Sequence, residues 1–165
     1  MTLVPRGTYN FVIMARTAAQ PSMNARPPGP YAYAMLVGLK ELDWPQLISR
    51  IERGLPYSAL EHLQRNMGIA PETLFQWIQM APRTLARRKL RGRLTPEESD
   101  RLLRAARVFG RVLEFFRGDR AGALQWLLSK PRALGGATPL ELSRTDLGAR
   151  EVEDLIERIR YGVYT

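Results

Sequence analysis

A run of six cations with no acid, within residues 82–94, is the feature of the sequence with the clearest chemistry. The stretch PRTLARRKLRGRL carries these cations at Arg83, Arg87, Arg88, Lys89, Arg91 and Arg93. A guanidinium group donates two hydrogen bonds at once to a phosphate, or to the O6 and N7 atoms of guanine. Concentrated positive charge without neighbouring carboxylates therefore indicates a site for a polyanion.

Helical spacing divides these side chains into groups with different expected roles. On a helix that begins near Pro82, spacings of three and four place one set on a shared exposed side, within reach of bases and phosphates. This set consists of Arg83, Thr84, Arg87 and Arg88. The cations that are expected to contact only the phosphate backbone are Lys89, Arg91 and Arg93. Leu85 and Leu90 are left to face inward.

Two short helical segments precede the basic stretch and favour nucleic acid as its partner. Apolar periodicity and turn residues predict helices over 58–67, 71–79 and 82–91, separated by very short turns. In a helix-turn-helix, the first two helices would brace the third, which lies in a groove of DNA. The pattern fits RNA as well as DNA, and the simplest alternative is a solvated basic face that binds nothing.

The sequence lacks the residue combinations that carry catalysis or hold metals. There is no cysteine, which excludes disulfides, thiolate metal sites and cysteine nucleophiles. His62 is the only histidine, and a lone histidine within a helix more often has a packing or surface role than a ligand role. Glu97 and Glu98 are adjacent and point in different directions, so they do not form an acid–base pair. We therefore expect a protein that is not an enzyme and has no catalytic residues, metal site or cofactor.

The composition is that of a globular protein with excess positive charge. Of the 165 residues, 45% are hydrophobic and 25% are charged, and the formal net charge is +9. The longest apolar runs are far shorter than the ~18 residues that a membrane span requires. Together with the absence of cysteine, this favours a cytoplasmic protein with no membrane partner.

Three segments of different character follow one another along the chain. Residues 1–34 include a proline-rich stretch, QPSMNARPPGP, and are predicted to form a flexible arm. Helical periodicity begins near residue 35, and residues 35–118 are predicted to form a helix-turn-helix domain. Residues 119–165 carry shorter helices and are predicted to form a second, small domain. No alternating strand pattern interrupts this series, so the predicted fold class is all-α.

Residue pairs with capping spacing mark two of the predicted helix starts. The two predicted capping boxes are Thr95 with Glu98, and Thr138 with Glu141. Ser58 is expected to cap the helix over 58–67. The segment 94–118 is predicted to be the longest helix, ending at Gly118. Its inward stripe consists of Leu102, Ala106, Phe109, Leu113 and Phe116.

At this point several motifs resemble those of a known family. The marks are PRTLARRK, LTPEESDRL, a W…P…ALGG…P run and the closing RIRYGV, spread over roughly residues 36–165. Together they resemble the helix-turn-helix half and the C-terminal toxin-binding half of Xre/MbcA/ParS-type antitoxins. The resemblance implies a type II toxin–antitoxin system whose toxin has a RES domain and either consumes NAD or uses it for ADP-ribosylation. It further implies that the antitoxin binds this toxin, blocks its NAD pocket with its C-terminal end and represses its own operon.

The resemblance also implies roles for individual residues. Operator DNA contacts would come from Arg83, Thr84, Arg87 and Arg88. The toxin-binding half would be shaped by Trp126, Leu134, Gly135, Gly136, Pro139 and Leu140, with Leu155 and Ile159 of the last helix. The residues nearest the toxin's pocket would be Arg158, Tyr161, Gly162, Val163 and Tyr164. The alternative for Tyr161 and Tyr164 is that they pack back on their own domain.

Two positions depart from the family's pattern. Gln79 and Ala81 stand where the family often has a glycine in the turn before the recognition helix and a serine as its cap. Glutamine in a left-handed turn is strained, and alanine cannot cap through its side chain, so toxin binding is implied more strongly than operator binding. The rival functions are a stand-alone helix-turn-helix transcriptional regulator and, more distantly, an RNA-binding accessory protein. A homodimer within a toxin–antitoxin hetero-oligomer is expected, since helix-turn-helix proteins usually recognise paired half-sites.

Overall fold

The computed structural model describes residues 31–40 and 43–162, and within these ranges every helix or strand element is a helix. The eight α-helices in these ranges are α1 Trp44–Glu52, α2 Ser58–Met67, α3 Pro71–Trp77, α4 Pro82–Arg91, α5 Pro96–Phe115, α6 Arg120–Leu127, α7 Pro139–Leu142 and α8 Asp146–Tyr161. Two 3₁₀ helices, Ala32–Val37 and Arg132–Leu134, complete the series. The predicted all-α class is confirmed.

Prolines and capping side chains set the starts of these helices. Both predicted capping boxes are present, at the first turns of α5 and α7. A third box joins Asp43 to Gln46 at the start of α1. The expected cap at Ser58 is wrong, because Ser58 is already the first helical residue and no side chain caps α2. A side chain caps a helix from the N-cap position, and Tyr57 occupies that position here.

Helix α5 is the central element of the fold. Its buried residues include Leu102, Ala106 and Phe109 of the predicted stripe, whereas Leu113 is only half-buried. It lies against the first 3₁₀ helix, α1 and α2, which precede it in the chain, and against α6 and α8, which follow it. The core therefore runs continuously through both predicted domains along this helix.

The first 3₁₀ helix packs closely against α5. A Cβ built on Gly110 would lie 3.2 Å from the Cβ of Tyr33, so the absence of a side chain at Gly110 permits this approach. Ala34 and Val37 are almost fully buried. Packed structure is thus already present before position 35, where helical periodicity is first evident. The remainder of the predicted arm, residues 1–30, lies outside the described residues.

Candidate functional surfaces

Helix α4 presents an open cationic surface. Its exposed cations are Arg83, Arg87, Lys89 and Arg91. Within the part of the chain that the structure describes, none of these four side chains takes part in an ion pair. Thr84, which was expected beside them, is half-buried. The surface has the charge and the helical shape that a nucleic-acid groove accommodates.

Arg88 does not belong to this surface, and the prediction that it lies on the exposed side of α4 is wrong. Its guanidinium Nε donates to Glu98 Oε2 at 2.7 Å and to Oε1 at 3.0 Å. The side chains of Arg88 and Glu98 are only 10% and 7% exposed. Arg88 follows Leu85 by three residues, so both fall on the inward stripe of α4.

Leu90 was expected to face inward and is instead 90% exposed. Leu85 is buried, as predicted. The two leucines are five residues apart, and at 3.6 residues per turn this separation rotates one by about 140° from the other. Both cannot face the core, and the burial of Arg88 on the stripe of Leu85 decides which one does.

Arg93 is exposed but is bonded to its own chain. Its Nη1 donates to Gly54 O at 2.6 Å and to Arg53 O at 3.2 Å. Beside it, the amide of Leu94 donates to Leu55 O at 2.9 Å. The segment after α4 is therefore fastened to the segment before α2. The predicted phosphate contact of Arg93 would have to form alongside these bonds.

The turn between α3 and α4 has the strained geometry that the sequence predicts. Gln79 has a backbone φ of 53°, in the left-handed region that favours glycine. Ala81 is the N-cap residue of α4 and provides no side-chain hydrogen bond. The first backbone amides of α4 thus lack a side-chain cap.

Burial and hydrogen bonding act in opposite directions on the carboxyl group of Glu98. Burial raises its pKa, because the charged form loses hydration. Hydrogen bonds from the Arg88 guanidinium and from the Thr95 amide stabilise the carboxylate and prevail, so the pKa of Glu98 lies below its usual value. Glu98 is therefore an ionised partner for Arg88 at neutral pH.

Residues expected to shape the partner-binding half divide into an interior and an exterior group. The interior group, buried in the chain's own core, consists of Trp126, Leu134, Pro139, Leu140 and Leu155. The exterior group consists of Gly135, Gly136, Arg158, Tyr161 and Gly162. Ile159 is half-buried, and Val163 and Tyr164 lie outside the described residues. The exterior group is open to direct contact with another protein, whereas the interior group is not.

The outer side of α8 carries two large exposed side chains. Leu147 is 72% exposed near its start, and Tyr161 is 73% exposed at its end. Alternating spacings of three and four connect them through Arg150, Asp154 and Glu157, so they share one face of the helix. Leu147 was not identified from the sequence. Its position outside the apolar stripe of α8 is the signal that would have indicated an exposed leucine.

Ion pairs fasten α8 to α5. Arg107 Nε bonds to Glu153 Oε1 at 2.8 Å, and Arg160 Nη2 lies 3.3 Å from Glu114 Oε1. The Arg107 side chain is 32% exposed and that of Glu153 is 22% exposed, so this pair is partly shielded from solvent. These contacts fix the direction in which α8 carries Tyr161.

A buried hydrogen bond joins the helix-turn-helix to the C-terminal half. The indole Nε1 of Trp77, at the end of α3, donates to Ser143 Oγ at 2.9 Å. Nearby, Arg104 Nη1 of α5 donates to Arg144 O at 2.8 Å. Neither contact follows from sequence spacing, because the partners are 66 and 40 residues apart. The two candidate surfaces therefore belong to one packed body.

Residues 31–40 and 43–162 contain neither a candidate metal site nor a membrane-crossing helix. No group of three or more His, Cys, Asp or Glu side chains there is arranged to hold a metal ion. In the same ranges no helix combines the length and apolar character needed to cross a bilayer.

Comparison with known families matches both halves of the chain. The family model of the antitoxin Xre-like helix-turn-helix domain matches residues 46–107. The family model of the antitoxin Xre/MbcA/ParS C-terminal toxin-binding domain matches residues 105–162. The two matches meet on α5.

Individual relatives give the same result. A protein of Yersinia enterocolitica named antitoxin Xre is 32% identical over 130 residues, which cover 78% of this chain and 88% of the relative. An antitoxin Xre of Photorhabdus laumondii is 30% identical over 128 residues, covering 77% of this chain and 86% of the relative. One of Pseudomonas putida is 32% identical, covering 73% and 79% respectively. The two family matches together extend across both surfaces described above.

Proposed function

The chain belongs to the Xre/MbcA/ParS family of antitoxins, and from this premise we propose that it binds and neutralises a RES-domain toxin that consumes NAD or transfers ADP-ribose from it. The observation that carries the proposal is the exposure of Tyr161 at the end of α8, within the matched toxin-binding domain. We expect no catalytic activity of the chain itself.

Neutralisation is proposed to occur by obstruction of the toxin's NAD pocket. Tyrosine offers a large contact area and loses few rotamers on binding, which suits an anchor at an interface. Gly162 ends α8 with a left-handed φ of 69°, so the chain leaves the helix axis directly after Tyr161. The remaining residues, including Val163 and Tyr164, are proposed to enter the pocket.

Deletion of residues 161–165 tests the pocket proposal. We expect the shortened protein to keep its helical circular dichroism and to remain bound to the toxin in a pull-down, yet to inhibit NAD consumption much less. Ile48→Ser, which removes a half-exposed apolar side chain from α1, is the matched control and should inhibit fully. Full inhibition by the shortened protein would exclude obstruction by the C-terminal end.

Co-purification tests the choice of partner. Expression of the chain with the adjacent reading frame is expected to yield a stoichiometric complex whose second protein consumes NAD once it is released. A chain that purifies alone, binds DNA and affects no NAD-consuming protein would instead be the stand-alone regulator.

We further propose that the protein represses its own operon as a homodimer, with α4 lying in the major groove of the operator. The exposed cations of α4 and the match of the helix-turn-helix domain support this. Replacing Arg83 and Arg87 by alanine should weaken binding to DNA from upstream of the gene. The slope of log affinity against log salt is negative, and its magnitude, the salt slope, should fall by about 0.9 for each lost phosphate contact. An unchanged slope would place the nucleic-acid surface elsewhere, and a monomeric mass in light scattering would contradict the dimer.

A further inference from the structure

We propose that Arg88 is a positioning residue, which together with Glu98 fixes the orientation of α4 on α5 and does not itself contact nucleic acid. This inference rests on the proposed DNA-binding function of α4. It removes from the contact surface a residue that sequence spacing places there, and it assigns to Glu98, which has no functional role above, a part in nucleic-acid recognition.

The geometry of the pair is that of a closed internal bond. The Arg88 Nε lies 2.7 and 3.0 Å from the two carboxylate oxygens of Glu98, and both side chains are about nine-tenths buried. To extend to a phosphate, the Arg88 side chain would have to withdraw its Nε from a buried carboxylate, which would then retain only the hydrogen bond from the Thr95 amide. Breaking a buried pair is strongly unfavourable, so exchange of Glu98 for a solvated phosphate is not expected.

Glu98 connects two elements through one carboxylate. Its Oε2 accepts the Thr95 backbone amide at 2.8 Å, which closes the capping box at the start of α5. The same oxygen accepts the Arg88 Nε from α4. The first turn of α5 therefore forms a fixed platform on which α4 is held.

Helix α4 has few other attachments through its own side chains. Leu85 and Arg88 are its two buried residues. The other bonds at its end are made by the backbone of Gly92, whose carbonyl accepts the Tyr57 amide at 2.9 Å, and by the segment that follows. Loss of Arg88 would leave Leu85 as the sole buried side chain of α4, so its rotation relative to α5 would be poorly determined. Base recognition depends on that rotation, because side chains must meet base edges in register.

The charge of Arg88 has a different consequence from that of its exposed neighbours. Glu98 neutralises Arg88 inside the protein, so Arg88 releases no counterions when DNA binds. Arg87, which is one position earlier and exposed, can contact a phosphate and thereby release counterions. Affinity and salt dependence should therefore respond differently to substitution at these adjacent positions.

The test compares Arg87→Gln with Arg88→Met in the full chain, with a duplex from upstream of the gene as the probe. Arg87→Gln should weaken binding and lower the salt slope by about 0.9. Arg88→Met should weaken binding about tenfold, the factor that corresponds to 1.4 kcal/mol, with an unchanged slope. A slope that falls in Arg88→Met as it does in Arg87→Gln would show a phosphate contact and overturn the proposal.

A double variant separates positioning from contact. Arg88→Met combined with Glu98→Gln removes the unpaired buried charge, while the glutamine keeps an oxygen that accepts the Thr95 amide. We expect this variant to regain most of the affinity lost in Arg88→Met, with the wild-type slope. If Arg88→Met weakened binding because a direct DNA contact was lost, a second substitution at buried Glu98 would not restore the affinity. Failure of the double variant to regain affinity would therefore contradict the inference.

Amide hydrogen exchange provides a readout that needs no DNA. Exchange in α4 should accelerate in Arg88→Met, return towards wild type in the double variant and stay unchanged in Arg87→Gln. If the wild-type protein binds no DNA, the proposed operator binding fails, and these exchange rates alone decide whether Arg88 positions α4. Equal exchange in wild type and Arg88→Met would overturn the positioning role.

Discussion

Gln79 stores backbone strain in the turn between α3 and α4, where its φ is 53°. Replacement by glycine should raise the free energy of unfolding by about 0.5–1 kcal/mol, because the relief of left-handed strain exceeds the added entropy of the unfolded chain. Urea unfolding measures the change. Gln79→Ala keeps the strain and removes only the exposed side chain, so it should differ little from wild type. A glycine variant no more stable than the alanine variant would contradict this account.

The carboxyl group of Glu98 makes the stability of the fold depend on pH. Its folded pKa lies below the usual 4.5, since hydrogen bonds from Arg88 and Thr95 outweigh the effect of burial. The contribution is thus complete above the unfolded pKa and is lost as the pH falls through the lower folded value.

Comparison of wild type with Glu98→Gln measures this contribution. Urea unfolding from about pH 3 to about pH 7 should show wild type losing its advantage over the variant only at the acidic end. A difference in stability that is constant over the whole range would show that the Glu98 carboxylate is not stabilised in the folded state.

At the level of single residues, the sequence predicts strain and caps better than direction. The left-handed Gln79 and the missing cap at Ala81 follow from the resemblance to the family, which often has a glycine and a serine at these positions. Arg88 and Leu90 do not, because the orientation of a basic helix depends on a buried partner. For Arg88 that partner is Glu98, which lies ten residues away on the next helix.

The start of α5 is stabilised by a serine that the sequence gives no reason to select. Ser99 is fully buried, and its Oγ accepts the Leu55 amide at 2.8 Å and donates to Thr95 O at 2.7 Å. Ser99→Ala leaves the Leu55 N–H without its acceptor and should cost about 1–3 kcal/mol of unfolding free energy.

Ser129→Ala is the matched control for this prediction. The Ser129 hydroxyl is half-buried and donates only to Trp126 O, so its removal should cost less than about 1 kcal/mol. Thermal unfolding of both variants makes the comparison. Equal losses would mean that the amide of Leu55 gains nothing from Ser99.

Helix bounds are predicted well where proline and glycine mark them and poorly elsewhere. The bounds of α2 and α4 agree with the predicted helices over 58–67 and 82–91. Helix α5 ends at Phe115 rather than near Gly118, because the chain already turns left-handed at Arg117. The first 3₁₀ helix has no periodicity to identify it, and its place depends on close packing against Gly110.

For the whole molecule, α5 is common to both matched domains. The family matches overlap at residues 105–107, and α5 contacts both the first 3₁₀ helix and α8. The predicted domain boundary after residue 118 therefore marks a change in the sequence pattern. That the two parts fold as separate domains remains a prediction. Apolar spacing predicts which residues of α5 are buried, but it does not show which helices they pack against. The sequence therefore cannot show that α5 is common to both domains.

A fragment of residues 31–118 tests how far the halves depend on each other. It lacks α8 with Glu153, the partner of Arg107, and the Arg144 carbonyl that Arg104 contacts, so its α5 exposes a face that is covered in the full chain. In thermal unfolding followed by circular dichroism, the fragment should have a lower midpoint temperature and a broader transition than the protein shortened by residues 161–165. Equal transitions for the two proteins would establish that the N-terminal part folds independently.

The bond between Trp77 and Ser143 gives the protein an internal optical probe. Indole emission shifts in wavelength when water or a new polar neighbour reaches the ring. With Trp44 and Trp126 replaced by phenylalanine, Trp77 would be the only emitter left among the three tryptophans of the chain. Its emission spectrum would then show, without an attached dye, whether binding at the surface of α4 or of α8 changes the contact between the two halves of the protein.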